Sequence, residues 1–110
     1  MQKDKWKKTL INKDSTIKDA IVNLSSSGLQ ICILVNEKNT IIGTITDGDI
    51  RRSIINGVNL QDSAISIANK NPVTSSNKRS FLEIKSLMEV NKINQLPIIN
   101  NNKAKNLVYI

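Results

Sequence analysis

Residues 42–52, IGTITDGDIRR, contain the transition that decides the fold, because a strand-forming stretch runs directly into a helix-forming one. The β-branched residues of segment 40–46 favour a strand. Asp49 is a good N-cap residue, so we predict a short helix over residues 50–56 that Gly57 ends. The fold is therefore expected to contain a strand followed at once by a helix.

An amphipathic helix and another strand precede this stretch. Residues 15–27 carry apolar side chains at helical spacing, and Gly28 after them is typical of a helix end. Thr16 and Asp19 have the spacing of a capping box. The apolar run ICILV at residues 31–35 has the length of a buried strand, and turn-forming residues follow it. The first half of the chain is thus predicted to be helix, strand, strand, helix.

The same order of elements begins again after about 64 residues, which indicates an internal repeat. A connector with one helical turn near residues 63–68 comes first. Residues 80–91 then predict an amphipathic helix, and residues 95–99 and 107–110 predict two strands. The inward-facing residues of that helix are predicted to be Phe81, Ile84, Leu87 and Met88. We divide the chain into a basic N-terminal tail (1–8), a first repeat (9–57), a connector (58–71) and an incomplete second repeat (72–110).

The predicted fold belongs to the α+β class, with the two repeats sharing one hydrophobic core. Domains of about fifty residues bury too little surface to be stable alone, so the two halves are expected to pack sheet against sheet. The core must be largely aliphatic, because the 110 residues include one Trp, one Tyr and one Phe.

The composition excludes several kinds of functional site. The chain has no His, which excludes His-based catalysis, His metal ligands and Ser/His/Asp triads. Cys32 is the only Cys, so it forms neither an internal disulfide nor a thiolate zinc site, and we interpret it as a small buried hydrophobe. A single Cys fits a reducing, cytoplasmic location. No apolar run reaches the length that spans a membrane.

The residues that join the central strand to its helix are suited to hold an anion. Thr46 can donate its hydroxyl, and the backbone amides of Asp47 and Gly48 lie at a helix N-terminus, where phosphates bind. Asp49 can accept two hydroxyl hydrogen bonds, as from a ribose diol. Each residue alone could be purely structural, Asp49 as a cap and Gly48 as a turn residue. Their combination, with Gly43 before them, favours a ligand cleft.

The repeated unit, together with GTITDGD in the first repeat and QLPII in the second, resembles a pair of CBS domains. The resemblance covers nearly the whole chain and implies two βαββα halves related by a pseudo-twofold axis, the second of them truncated. It also implies that a G-h-x-T/S-x-x-D motif, here Gly43, Thr46 and Asp49, contacts nucleotide phosphate and ribose. The other candidate ligand-binding residues are Thr44, Asp47, Gly48, Arg51 and Arg52, with Ile11 and Ile31 for the base pocket.

The string TDGDIRR is similar to the CBS pair at the N-terminus of sugar-nucleotide nucleotidyltransferases and to the pair on sugar-phosphate isomerases. The opening WKKTLIN and the segment SSSGLQICILVNE favour the nucleotidyltransferase. The second repeat ends at residues 108–110, where the first has residues 42–44. Tyr109 then replaces Gly43, so we expect at most one nucleotide site.

These observations predict a non-catalytic regulatory module that binds an adenine nucleotide, AMP, ADP or ATP, or a similar phosphorylated ligand. The module requires no cofactor or metal, forms a homodimer and is attached to a nucleotidyltransferase. One alternative is a structural dimerisation module without a ligand. Another is a nucleic-acid binder, which the net charge of +7 suggests. The second alternative is weaker, because the chain lacks aromatic residues interleaved with basic ones.

Overall fold

The computed structural model describes residues 4–110, which form two three-stranded sheets with helices packed on them. In chain order the elements are a 3-10 helix (Lys5–Thr9), β1 (Leu10–Asn12), α1 (Ile17–Ser27), β2 (Ile31–Val35), β3 (Ile41–Thr46), α2 (Asp47–Ile55), a second 3-10 helix (Ala64–Ile67), β4 (Ser75–Ser76), α3 (Phe81–Asn91), β5 (Gln95–Asn100) and β6 (Lys103–Tyr109). The α+β class predicted from the sequence is confirmed, as is the helical turn in the connector.

The predicted repeat is visible in the helices that open each half. Helix α1 begins at Ile17 and α3 begins at Phe81, which is 64 positions later. Both helices start with a capping box, in which a hydroxyl side chain accepts the amide of the third helical residue and an acidic side chain accepts the amide of the cap. The boxes consist of Thr16 with Asp19 and of Ser80 with Glu83.

Each sheet repeats the same topology. The first sheet has the order β1-β2-β3 and the second has the order β4-β5-β6. In both sheets the first pair of strands is parallel and the second pair is antiparallel. The antiparallel register shifts between Leu34 and Val35 in the first sheet, and between Ile98 and Ile99, 64 positions later, in the second. The repeat therefore extends to the local irregularities of the strands.

Strand pairing corrects the alignment of the last strand. Gly43 pairs with Leu34. Asn106 pairs with Ile98, which is 64 positions after Leu34. The two partners are nine residues apart in the first hairpin and eight in the second. The expectation that Tyr109 replaces Gly43 is therefore wrong: Asn106 replaces the glycine, and Tyr109 takes the position of Thr46.

The two sheets pack against each other, as predicted, but the core consists of three separate clusters. Strand β2 is buried on both faces, because its alternate side chains enter different clusters. The first helix cluster consists of Ile17, Ala20, Leu24, Cys32, Leu34, Ile45, Ile50 and Ala64. The central cluster, which joins the two halves, consists of Trp6, Leu29, Ile31, Ile33, Ala104 and Leu107. The second helix cluster consists of Ile84, Met88, Leu96 and Ile98.

The hairpin turns also join the two halves through backbone hydrogen bonds. The amide of Ile41 donates to the carbonyl of Asn102 at 2.9 Å, and the amide of Ala104 donates to the carbonyl of Asn39 at 3.1 Å. The side-chain amide of Asn39 also donates to the carbonyl of Ala104, at 2.9 Å. These bonds add a polar link to the apolar contact between the sheets.

One prediction about exposure needs correction. Phe81 was expected to face inward but is 68% exposed. Ile17, at the same position on α1, is fully buried because α2 and the second 3-10 helix pack over it, and the described part of the second repeat has no such layer. The described part of the basic tail is not a free extension, because Lys5–Thr9 is helical and Trp6 is only 6% exposed.

Over residues 4–110, the longest and most apolar helices still fall short of what a membrane-spanning helix requires. The same residues contain no group of three or more Cys, Asp or Glu side chains that could hold a metal ion.

Candidate ligand cleft

Helix α2 begins three residues earlier than the sequence predicts. Its N-cap is Thr46 and its first residue is Asp47, so Asp49 is the third helical residue and not the cap. The Asp49 carboxylate accepts the backbone amide of Thr46 at 2.9 Å and the Thr46 hydroxyl at 3.2 Å, both on Oδ2. Thr46 and Asp49 thus form a capping box, and the hydroxyl that was expected to bind a ligand already has a partner in the same chain.

Arg52 covers the outer side of this first turn. Its Nη2 donates to Oδ1 of Asp49 at 2.7 Å; the Arg52 side chain is 69% exposed and the Asp49 side chain only 17%. A Cβ atom added to Gly48 would lie 3.2 Å from Nη1 of Arg52. The glycine therefore leaves room for the guanidinium. Asp49 keeps one free lone-pair direction on Oδ1, and a ribose diol needs Arg52 to move away to gain a second.

A cavity of about 300 Å³ lies between the two halves of the chain. Its wall is formed by Ile31, Thr44, Thr46, Asn69, Pro72, Val73, Lys92, Ile93, Asn94, Gln95 and Pro97. The first repeat contributes the ends of β2 and β3, and the second contributes the end of α3 and the start of β5. The volume falls at the lower end of the range of small-molecule sites, about 300–1,000 Å³.

Among residues 4–110, Lys92 is the one charged residue in the wall of this cavity. It follows α3 in the left-handed conformation, with φ of 55°, which turns the chain from the helix into β5. The remaining wall consists of hydroxyl, amide and apolar side chains. The cavity therefore suits an anionic ligand that also offers an apolar surface and hydrogen-bonding groups.

The cavity brings together three of the predicted site residues: Ile31, Thr44 and Thr46. Asp49 and Arg52 line a neighbouring groove of about 370 Å³ between α2 and the second 3-10 helix. The other predicted residues lie outside both walls. Asp47 and Arg51 are exposed on α2, Gly48 is covered by Arg52, Gly43 faces the connector, and Ile11 packs against the first helix cluster.

Sequence reasoning missed Lys92 and Asn94. Both follow α3, where the sequence shows only a helix end, and both line the same cavity as Thr44 and Thr46 of β3. The local pattern contains no signal for a contact of this kind. The only available hint was the repeat itself, which predicts that the start of β5 lies near the start of β2.

Gly43 has a structural role that the sequence did not indicate. Its neighbour Thr44 exchanges two backbone hydrogen bonds with Asn69 of the connector, of 3.0 and 2.8 Å. A Cβ atom on Gly43 would lie 3.0 Å from Cβ of Ala68 and 3.2 Å from the carbonyl oxygen of Asn69. Only glycine lets the connector approach β3 this closely.

We expect Gly43→Ala to destabilise the fold by about 1–3 kcal/mol, because backbone must shift to admit the methyl group. Thermal unfolding measures the loss. Gly48→Ala is the matched control, since its methyl would meet only the flexible Arg52 side chain, and helix propensity favours alanine. An unchanged melting temperature for Gly43→Ala would show that the connector does not need this close approach.

Cys32 is buried, as predicted. Its thiol donates to the carbonyl oxygen of Ala20 at 3.3 Å. Burial raises the pKa of this thiol to about 12, and the negative charge of Asp47 acts in the same direction. The thiol is therefore neutral at physiological pH, which excludes it as a nucleophile.

Comparison with known families identifies the first repeat. Residues 8–56 match the family model of the CBS domain. An uncharacterized protein of Helicobacter pylori is 32% identical over 103 residues, which are 92% of this chain and 31% of that protein. The arabinose 5-phosphate isomerase GutQ of Salmonella typhi is 27% identical over 88 residues, 80% of this chain and 27% of the isomerase. The chain thus spans less than a third of the length of these curated relatives.

Comparison with solved structures extends the likeness to the whole fold. A CBS domain protein from Pyrobaculum aerophilum, solved in complex with AMP, superimposes with a TM-score of 0.81 at 17% sequence identity, covering 91% of this chain and 78% of that one. The relatives do not support attachment to a nucleotidyltransferase, because those with a named activity are isomerases. Residues 8–56 therefore match the model of the CBS domain family, and the chain shares the fold of the Pyrobaculum aerophilum CBS domain protein.

Proposed function

We propose that the chain is a non-catalytic regulatory module that binds an adenine nucleotide, or a similar phosphorylated ligand, in the cavity between its halves. The observation that carries this proposal is the cavity wall itself. It combines Thr44 and Thr46 of the first repeat with Lys92 of the second, and adds Ile31 as an apolar surface. The AMP bound to the Pyrobaculum aerophilum relative supports an adenine nucleotide as the first ligand to test.

In the proposed complex, Lys92 offsets the charge of the phosphate and Ile31 contacts the base. A charge-assisted hydrogen bond from a lysine is roughly twice as strong as a neutral one, so Lys92 contributes most to the recognition of phosphate. Asp49, one helical turn from Thr46, accepts a ribose hydroxyl once its pairing with Arg52 opens. The arginine side of that ion pair is exposed to solvent, which weakens the pairing, so a ligand can displace it.

A ligand in this cavity couples the two halves because each half supplies part of the wall. It shifts the relative arrangement of the repeats only by the difference between its affinities for the two arrangements. The signal would pass to an enzyme of phosphorylated sugars. The arabinose 5-phosphate isomerases among the relatives support that class, and a sugar-nucleotide nucleotidyltransferase, suggested by the resemblance of TDGDIRR, belongs to it as well.

The alternative function is a dimerisation module without a ligand. Exposed apolar side chains on α3, namely Phe81, Leu82 and Val90, favour association through this helix. We propose a cytoplasmic homodimer in either case, and light scattering tests the dimer. The two functions differ in whether nucleotides matter to the module.

We expect AMP, ADP or ATP to raise the melting temperature of the chain, because a ligand that binds only the folded state stabilises it by mass action. At a concentration of about 100 times Kd, the gain is about 2.7 kcal/mol. Adenosine, which lacks the phosphate, should give a smaller shift. If none of the three nucleotides changes the melting temperature while light scattering reports a dimer, the dimerisation function replaces this one.

A further inference from the structure

The internal repeat requires a second cleft, related to the first by the exchange of the two halves. Equivalent residues are 64 positions apart up to β5 and, because the second hairpin is one residue shorter, 63 positions apart in the last strand. The position of the second cleft follows from the wall of the first. The counterparts of Ile93, Gln95, Pro97 and Thr44 are Leu29, Ile31, Ile33 and Leu107, respectively.

The side chain of Trp6 packs in one cluster with these four counterpart residues. All four counterpart residues belong to the central cluster, together with Trp6, which is only 6% exposed. The segment of backbone beside each cleft is equivalent as well. Asn69 and Pro72 border the open cavity, and their counterparts, Lys5 and Lys8, lie on either side of Trp6 in the sequence. An indole ring therefore occupies the place where the first cleft is open.

The backbone holds Trp6 in position. It lies in the 3-10 helix Lys5–Thr9, where the buried hydroxyl of Thr9 donates to the carbonyl oxygen of Trp6 at 2.6 Å. Leu10, which follows this 3-10 helix, starts β1 and pairs with Ile33 of the central cluster. Trp6 thus lies in a helical segment that continues directly into β1 of the first sheet.

We propose that Trp6 is a built-in occupant of the second cleft, so that the module presents one open cleft and one that its own indole closes. The other members of its cluster are leucine, isoleucine and alanine side chains. Removal of the indole therefore creates an apolar cavity, and cavities of this kind stay dry and bind flat aromatic molecules. The second cleft is a latent site for a planar aromatic ligand the size of indole. This inference does not depend on nucleotide binding at the first cleft.

The test is the thermal unfolding of Trp6→Ala with and without free indole. We expect the variant to melt well below the wild type, and indole at about ten times its Kd to raise its melting temperature by roughly 4–8 °C. Where the variant is unfolded at room temperature, indole should restore the folded signal. The wild type should not respond. Met88→Ala is the control, because it removes a buried side chain from the second helix cluster, away from Trp6.

A measurement on the unmodified chain provides a second check. Trp6 is the only tryptophan, so its fluorescence reports on the cleft alone. We expect a blue-shifted emission and weak quenching by acrylamide in the folded state, and strong quenching after unfolding. Quenching in the folded state as strong as that of free tryptophan, or a Trp6→Ala variant that does not respond to indole, would overturn the proposal.

Discussion

Replacing Asp49 by alanine should abolish the nucleotide-dependent rise in melting temperature and should also weaken the unliganded fold. The first effect follows from the loss of the carboxylate proposed to accept the ribose hydroxyl. The second follows from the capping box, because Asp49 accepts the amide and hydroxyl of Thr46 and also pairs with Arg52. Loss of a cap costs about 0.5–2 kcal/mol. Thermal unfolding with and without AMP measures both effects.

Asp19→Ala separates the two effects. Asp19 holds the same position in a capping box of the same composition, with Thr16 as its partner, but it lies at the start of α1 and lines neither the cavity nor the groove that contains Asp49. Both variants should lose similar stability without ligand. Only Asp49→Ala should lose the response to AMP. If the two variants respond equally to AMP, Asp49 does not contact the ligand, and the ribose contact must be sought in the cavity wall itself.

The sequence identified Asp49 as a hydrogen-bond acceptor at the start of a helix, but it did not predict the groups that Asp49 contacts. The sequence reasoning began α2 after Asp49, which left the carboxylate outside the helix and free for a ligand. With the helix starting at Asp47, Asp49 and Arg52 are three positions apart on one face, where side chains meet. Because the predicted start of the helix was wrong, neither the capping box with Thr46 nor the ion pair with Arg52 was predicted.

The elements themselves were predictable because their signals are local. Capping residues, an apolar run and a repeat of about 64 residues were sufficient for the helices, the main strands and the α+β class. Trp6 could not be placed in the same way. Four lysines among the first eight residues indicated only a basic tail, whereas Trp6 shares a buried cluster with Ala104 and Leu107 at the other end of the chain. Contacts at such separation leave no trace in a local pattern.

The same limit applies to the candidate cleft. From the first repeat, sequence reasoning found Thr44, Thr46 and Ile31, since a motif and a strand end identify them. Its cationic candidates for the site were Arg51 and Arg52, which are neighbours of that motif in sequence. The cavity wall instead contains Lys92, because the packing of the two halves decides which cation faces the cleft. The motif of one repeat thus predicts only the part of the cavity wall that this repeat contributes.

Lys92→Gln should lower the affinity for AMP by at least about tenfold, because hydrogen bonds to charged groups contribute about 1.5–3 kcal/mol. Affinity for adenosine should stay nearly constant, since the lysine is proposed to contact only the phosphate. Stability without ligand should also change little, because the side chain is exposed. Isothermal titration of both ligands at fixed ionic strength gives the two affinities, and their ratio isolates the phosphate contribution.

Lys85→Gln removes the same charge from an exposed position on α3 that does not line the cavity, so it controls for the general effect of net charge. Exposed charges farther apart than about 8 Å are largely screened at physiological ionic strength, so this control should bind AMP as the wild type does. Equal losses in the two lysine variants would mean that AMP responds to the overall positive field of the chain. A loss confined to Lys92→Gln would locate the phosphate between the two repeats, where binding can alter how the halves are held together.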